Sequence, residues 1–350
     1  MTTSRTHGGK RRNSRMDQMW WTGAILLLTA CLLIAGCADG KTDGASAPSA
    51  SNAVAASPSA VVNATTSQDD AVRVVKDVKG EQKIPARPER IADLGGIAEE
   101  LLIVGFKPIV SATTQYGQNA FAPHIEQRME GVQPVGYFFN APINEEAVLN
   151  AQPDLIILNN SQENIYEKMS KIAPTLMLSE TEEWDNWRGK LLEVAAWLDR
   201  SDKAEQWLAD YDKKTERLHG EIIAVTGDDT FGVVEMMPDN KTYFYHGNTV
   251  SVGGIVFNDL KLNPAEGTPL GTWGEQGSLE TIDRLKTDRL ILLTEPDPGW
   301  LKDNPVYLSM PSVQQGYVYE MTNAEQYGLS YTPIGKELLL DRLVEIIVGK

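Results

Sequence analysis

INEEAVLNAQPDLIIL (residues 143–158) and GSLETIDRLKTDRLILL (residues 277–293) are the two stretches that decide the fold. A constant offset of 134 residues relates two pairs of acids: Glu146 with Glu280, and Asp154 with Asp288. Each stretch has a polar candidate for a helix cap, a glutamate two positions later, a short helical pattern and an apolar strand. The candidate caps are Asn144 and Ser278. The repeat predicts matching helix–strand units in two halves of the chain, although acids favour helix N-termini in any protein.

Around these units, short strand patterns alternate with helix patterns from about residue 71 onward. The predicted strands are 90–94, 108–111, 154–158, 175–178, 231–236, 289–293 and 317–321. The predicted helices are 97–104, 144–151, 163–172, 250–260, 279–285 and 333–348. Such alternation favours an α/β fold with a largely parallel sheet in each lobe.

Residues 182–224 separate the two alternating regions and contain no proline. Apolar residues recur there at steps of three or four, which is typical of a helix with one buried face. The pattern predicts either one long helix or two segments with a break near Asp199-Arg200-Ser201. A continuous helix would extend about 60 Å, so it would have to bridge both lobes.

The N-terminal residues are typical of an export signal. An apolar run from Trp20 to Ile34 follows a basic segment and ends at Ala35-Gly36-Cys37. This pattern resembles a bacterial lipobox, in which the cysteine is lipidated; a plain transmembrane anchor is the alternative. Residues 38–68 are mostly small and polar, which favours a flexible tether. The predicted division is a signal peptide at 1–37, a tether at 38–70, an N-lobe at 71–181, a bridging helix at 182–224 and a C-lobe at 225–350.

Charge and cysteine content exclude several classes of protein. The 350 residues carry a formal net charge of -16, and an acidic surface disfavours nucleic acid and anionic lipid as partners. The two cysteines are Cys31 and Cys37, so the body of the chain has neither a disulfide nor a cysteine metal site. Its histidines (His124, His219 and His246) lack a metal-ligand spacing, so no metal site is expected.

Three segments together resemble a known family: RIADLGGIAEELLIVGFKPIV (90–110) and the two repeat stretches. They are similar to the helical-backbone, class III substrate-binding proteins of iron-siderophore and vitamin B12 ABC importers. The resemblance covers about residues 84–348. It implies two βα lobes joined by a long helix, a ligand groove between the lobes, and a glutamate on each lobe that docks on the permease. By position these glutamates are Glu146 and Glu280, and Glu145 competes for the first place.

The resemblance places the ligand against loops at the strand ends, and these are rich in aromatic residues. The candidate cleft residues are Tyr116, Tyr137, Phe138, Tyr245, His246, Trp273, Trp300 and Tyr327. Core packing is the alternative for each of them. The same loops are poor in basic residues, the nearest being Arg188, Lys241 and Lys302. A groove of this kind favours a neutral or cationic ligand, and thus a ferric hydroxamate over a triscatecholate.

The sequence therefore predicts a lipid-anchored extracytoplasmic binding protein, expected as a monomer, that delivers a ferric siderophore to an ABC permease. Iron would travel within the siderophore, so no cofactor is expected. Cobalamin, haem or a catecholate chelate are alternative ligands for the same fold. A sensor lipoprotein or a secreted hydrolase are alternatives of another class. No G-x-S-x-G, H-E-x-x-H or Walker motif is present, and this disfavours an enzyme.

Overall fold

The computed structural model describes residues 71–115, 118–179, 186–295 and 299–349. The predictions for the signal peptide, the tether, Cys37 and Tyr116 lie outside these residues. None of the helices within these ranges combines the length and the hydropathy that a membrane span requires. The described residues form two α/β lobes, each built on a five-stranded sheet.

The N-lobe sheet is entirely parallel, with strand order β5-β4-β3-β6-β7. Its strands are β3 (Ile91–Asp93), β4 (Val110–Thr113), β5 (Gln133–Tyr137), β6 (Leu155–Leu158) and β7 (Thr175–Met177). An antiparallel hairpin precedes them: β1 (Val72–Asp77) and β2 (Gly80–Pro85). Strands β3, β4, β6 and β7 are buried at every position, as expected for a parallel sheet covered on both faces.

The C-lobe sheet has strand order β10-β9-β8-β11-β12. Its strands are β8 (Phe231–Met236), β9 (Thr242–His246), β10 (Gly274–Ser278), β11 (Arg289–Thr294) and β12 (Val318–Thr322). Strands β8, β11 and β12 are parallel, whereas β9 and β10 are antiparallel to their neighbours. The prediction of a largely parallel sheet therefore holds for the N-lobe and for three of the five C-lobe strands.

Twelve α-helices are described within these ranges. They are α1 (Ala98–Ile103), α2 (Pro123–Glu126), α3 (Glu145–Ala151), α4 (Tyr166–Met169), α5 (Trp187–Trp197), α6 (Ser201–Thr226), α7 (Ser251–Gly254), α8 (Gly299–Lys302), α9 (Pro305–Leu308), α10 (Pro311–Gln314), α11 (Asn323–Leu329) and α12 (Pro333–Val348). Shorter turns are added by the 3-10 helices Gln127–Met129, Asn160–Ile165 and Leu279–Arg284, and by the π-helix Ile255–Asp259.

The connector between the lobes is two helices, α5 and α6, so the second of the two predicted alternatives is correct. The break lies where Asp199 adopts a left-handed conformation with φ of 55°, which a continuing helix does not tolerate. The backbone N–H of Arg200 then bonds to the carbonyl of Ala195 at 2.8 Å, which ends α5. Helix α6 has 26 residues, extends about 39 Å and ends at Thr226.

Helix α6 packs on both lobes. Ala204 near its start belongs to the N-lobe core, together with Leu191 and Val194 of α5. Tyr211 and Leu218, farther along, belong to the core beneath the C-lobe sheet. One rigid helix therefore carries contacts to both sheets, which is the arrangement expected for a bridging helix.

The internal repeat of the sequence corresponds to a repeat in the structure. In the N-lobe, the carboxylate of Asp154 accepts hydrogen bonds from the backbone N–H groups of Glu89 and Arg90 at 2.7 and 2.9 Å. In the C-lobe, the carboxylate of Asp288 accepts the backbone N–H of Thr230 at 2.9 Å. Each aspartate thus fixes the start of the neighbouring parallel strand. Asn144 caps α3 through the N–H of Ala147, whereas Ser278 makes no such side-chain bond.

Candidate functional site

Proteins with open α/β sheets commonly bind ligands at the loops that follow the carboxyl ends of the strands. We therefore place the candidate site where such loops of the two sheets meet. Gln115 follows β4 in the N-lobe, and Gly328 belongs to α11, which follows β12 in the C-lobe. A Cβ atom built on Gly328 would lie 3.9 Å from Nε2 of Gln115. Loops from the carboxyl edges of both sheets therefore come close together here, at the place where the sequence predicts the ligand groove.

The N-lobe side of this groove is aromatic. The backbone N–H of Phe138 bonds to the carbonyl of Thr113 at 3.0 Å, which places the end of β5 beside the loop that carries Gln115. The ring of Phe138 meets that of Tyr137 edge-on, with centroids 5.1 Å apart, and lies 6.1 Å from that of Phe139. These three rings form one apolar wall, and two of them, Tyr137 and Phe138, were predicted cleft residues.

Hydrogen bonds and a glycine hold this wall in place. The carbonyl of Phe138 accepts bonds from Asn159 Nδ2 at 3.0 Å, from Ser161 Oγ at 2.9 Å, and from the side chain of Gln162. Gly96 has φ of +72°, and a Cβ atom there would lie 2.7 Å from the Phe138 side chain. The ring position therefore depends on the absence of a side chain at Gly96.

The C-lobe side is built on a buried acid, Glu235, the fifth residue of β8. Its carboxylate accepts bonds from Tyr327 Oη at 2.7 Å and from Gln326 Nε2 at 2.9 Å. His246 Nε2 lies 3.2 Å from its Oε2. Burial alone would raise the pKa of Glu235, but the bonds from these three side chains outweigh it, and the pKa lies below its ordinary value. The carboxylate is therefore ionised at neutral pH.

Two tyrosines of the C-lobe extend into solvent from this network. The rings of Tyr327 and Tyr331 stack with centroids 6.3 Å apart, and 53% and 40% of these residues are exposed. Burial and the neighbouring carboxylate of Glu235 raise the pKa of the Tyr327 hydroxyl, which therefore stays protonated. Because Tyr327 precedes Gly328, this aromatic surface lies near the Gln115 loop of the N-lobe.

The remaining predicted cleft residues lie in different environments. Tyr245 is 4% exposed, packs within the C-lobe core and bonds to Thr268 Oγ1 at 2.7 Å. His246 is also buried, as a partner of Glu235. Trp300 is half-buried against the same core, whereas Trp273 is 44% exposed beside the end of β9. Tyr245 and His246 thus both offer little surface to a ligand.

The three basic residues that the sequence offered are dispersed. Arg188 forms an ion pair with Asp212 at 2.7 Å and lies 4.6 Å from the ring centroid of Trp187, on the connector. Lys241 and Lys302 are exposed. The arrangement therefore gives no sign of a basic cluster among the described residues of the groove.

Both predicted docking glutamates are exposed in first turns of matching helices. Glu146 is the second residue of α3, and Glu280 is the second residue of the 3-10 helix Leu279–Arg284. The competitor, Glu145, is less exposed and pairs with Lys168 at 2.9 Å. The structure places one exposed acid on each lobe, and the docking role itself stays a prediction.

Sequence reasoning missed Glu235, Gln326, Tyr331 and Gln115. Glu235 carried a usable signal, since it is the one acid within the apolar strand FGVVEM. A buried acid in such a strand requires partners and frequently marks a function. Gln326, Tyr331 and Gln115 lack any comparable signal, because loop and short-helix residues meet only in the folded chain.

Two open depressions lie elsewhere on the N-lobe. One, of about 570 Å³, is lined by residues near the amino ends of β4 and β5, and the other, of about 560 Å³, by residues 140–143, Glu145 and 160–165. Neither contains a predicted cleft residue. Among the described residues, no group of three or more His, Cys, Asp or Glu could hold a metal ion.

Known proteins resemble this chain in sequence and in structure. YfiY of Bacillus subtilis, a probable siderophore-binding lipoprotein, is 32% identical over 191 residues, covering 54% of this chain and 56% of YfiY. FhuD of the same organism, an iron(3+)-hydroxamate-binding protein, is 28% identical over 281 residues, covering 77% of this chain and 84% of FhuD. The match with YfiY thus spans little more than half of that relative.

A solved structure is also similar: an FhuD fold-family periplasmic binding protein component of a Fep/Fec-like ferrichrome ABC transporter from Bacillus subtilis. Its TM-score is 0.65 at 25% identity, covering 79% of this chain and 100% of that one. Residues 91–325, more than half of the chain, match the family model described as periplasmic binding protein. The chain therefore belongs to the periplasmic binding protein family, in the form with two α/β lobes and a long helix between them.

Proposed function

We propose that this protein is the extracytoplasmic binding component of an ABC importer, and that it captures a ferric siderophore of the hydroxamate type. The observation that carries the proposal is the groove at the carboxyl edges of the two sheets, where Phe138 and Tyr327 lie on opposite lobes and Gln115 approaches Gly328. Aromatic walls with few polar groups suit a large amphipathic chelate. The similarity to FhuD, an iron(3+)-hydroxamate-binding protein, supports the same ligand class, and that to YfiY, a probable siderophore-binding lipoprotein, supports a siderophore in general.

The scarcity of bases favours a hydroxamate over a catecholate. A triscatecholate complex of iron carries three negative charges, so its binding calls for several cations, whereas a trihydroxamate complex of iron is neutral. On the C-lobe side, the buried and ionised carboxylate of Glu235 lies behind Tyr327 instead. The iron travels inside the ligand, so no resident cofactor is required.

Purified protein exposed to a mixture of ferric hydroxamate, ferric catecholate, haem and cobalamin would test the ligand class. After removal of free ligand, the visible spectrum of the retained chelate should be that of a ferric hydroxamate. A haem or cobalamin spectrum would refute the proposed ligand class and leave the assignment of the fold unaffected. Recovery of chemically altered chelate would support an enzyme instead.

Delivery to the permease is proposed to use Glu146 and Glu280. Two carboxylates on separate rigid lobes set the orientation of docking as well as adding affinity for basic residues of the permease. Replacing both by alanine should leave chelate affinity unchanged and reduce uptake by at least about tenfold. The matched control replaces two other exposed glutamates, Glu126 of the N-lobe and Glu275 of the C-lobe. Full uptake by the Glu146/Glu280 variant would remove the docking role.

The cycle is proposed to involve only a small closure of the lobes. Helix α6 packs on both cores, and the carboxylate of Glu99 in α1 accepts hydrogen bonds from the backbone N–H groups of Ile334 and Gly335 in α12 at 2.7 and 3.1 Å. These contacts resist a hinge motion.

Attachment to the membrane is proposed to rest on a lipid at Cys37, which mass spectrometry of the mature protein would detect.

A further inference from the structure

Glu235 lies in a buried strand, where an acidic side chain is unusual unless it has specific partners or a specific role. Every residue of β8 is buried, and Glu235 itself is 6% exposed. Burying a carboxylate is costly unless donors surround it. Here a tyrosine, a glutamine and a histidine each contact one of its oxygens, and they come from α11 and β9. Three elements thus converge on one charge at the edge of the groove.

Two of the three partners of Glu235 bring no charge to it. Tyr327 and Gln326 are neutral, and among the described residues His246 is the sole ionisable base paired with this carboxylate. The other ring nitrogen of His246, Nδ1, is buried and has no hydrogen-bond partner within the described chain. Among the described residues, the His246 ring therefore contacts a polar group through Nε2 and not through Nδ1. The network is thus built on the carboxylate of Glu235, and two of its three partners are neutral side chains.

Tyr327 presents this charge to the groove. Its hydroxyl donates to Glu235 Oε1 at 2.7 Å, so the phenol oxygen offers only its lone pairs to a ligand. The residue is 53% exposed, and its ring stacks on that of Tyr331. The C-lobe wall is thus an apolar surface whose polar atom accepts hydrogen bonds and whose nearest charge is negative.

We infer that Glu235 is the charge-selectivity residue of the groove: acting through Tyr327, it favours chelates that present an N–H or ammonium donor and rejects anionic chelates. This inference rests on the proposed function. The interaction between two charges falls with distance and dielectric, and a carboxylate behind one ring discriminates a trianion from a monocation by about tenfold or more.

The variant Glu235→Gln tests this, because it keeps the shape and removes the charge. Three probes differ in charge: ferrichrome (neutral), ferrioxamine B (one ammonium group) and ferric enterobactin (a trianion). We expect the affinity for ferrichrome to change by less than about threefold, that for ferrioxamine B to fall about tenfold, and that for ferric enterobactin to rise about tenfold. Equal changes for all three probes would overturn the inference.

Two controls separate selectivity from damage to the fold. Glu295→Gln removes an exposed acid that bonds to Asn323 at the same edge of the C-lobe sheet, and it should shift no probe by more than about twofold. If the Glu235→Gln variant does not fold, the inference is tested by the salt dependence of chelate binding to the wild-type protein. Rising salt should weaken ferrioxamine B binding and spare ferrichrome, and an identical salt response would overturn the inference.

The outcomes also separate this inference from the proposed function. Wild-type protein that binds none of the three chelates would refute the proposed function. Wild-type protein that binds ferrichrome, combined with a Glu235→Gln variant of unchanged selectivity, would refute only the role of Glu235.

Discussion

Replacing Glu99 by alanine should destabilise the protein more than the same replacement of an exposed acidic residue. The reason is that the buried carboxylate of Glu99 joins the two lobes. Glu99 is 2% exposed, and its Oε2 caps α12, whose own N-cap residue Thr332 makes no side-chain bond. Its Oε1 lies 2.6 Å from His124 Nε2. The alanine variant loses the cap and leaves buried N–H groups and His124 unpaired.

The expected cost follows from those contacts. Loss of a helix cap costs about 1 kcal/mol, and loss of a buried bond to a charged group costs about 2 kcal/mol. The sum of about 3 kcal/mol corresponds to a fall in Tm of about 5 °C for a domain of this size. Differential scanning calorimetry measures it, with Glu126→Ala in the neighbouring helix α2 as the exposed control. A Glu99→Ala variant that melts within about 1 °C of that control would refute the inter-lobe cap.

Two further variants test buried positions of the N-lobe. Burial raises the pKa of Glu100 to about 7, above its ordinary 4.5, so the stability that its protonated form provides is lost as pH rises through 7. The Glu100→Gln variant should therefore be more stable than wild type at pH 8 by about 3 kcal/mol, and this difference in stability should vanish below pH 4.5. A difference in Tm that does not change with pH would contradict this prediction. Gly96→Ala should cost about 3 kcal/mol and weaken chelate binding by displacing Phe138, since it adds a clash to a left-handed residue. Gly131→Ala is its control, with φ of +82° and no atom within 4 Å of the new Cβ, and equal losses in the two variants would disprove the clash.

Much of the scaffold could be predicted because its signals are local. The strands at Leu155–Leu158 and Arg289–Thr294 appear as short apolar runs, since parallel strands are buried on both faces. The hairpin of β1 and β2 escaped prediction because its exposed positions alternate with half-buried ones and no long apolar run marks it. The break of the connector at Asp199 was one of two predicted alternatives, because sequence alone does not show a residue in the left-handed conformation.

The groove was less predictable because a side chain's surroundings depend on which face of its element is covered. Tyr243 and Tyr245 alternate in β9 and enter the C-lobe core, whereas the sequence only showed aromatic residues between two turns. Tyr327 was among the predicted cleft residues, but its hydrogen-bond partner Glu235, which the sequence did not indicate, lies 92 residues earlier in the chain. Contacts of that range arise from the sheet topology, which no local pattern encodes.

Calorimetric titration of the purified protein with ferrichrome and with ferric enterobactin tests the central claim most directly. One ferrichrome should bind per protein with a Kd below about 1 μM, and ferric enterobactin should bind at least about a hundredfold more weakly. Tighter binding of ferric enterobactin, or no heat with either chelate, would contradict it.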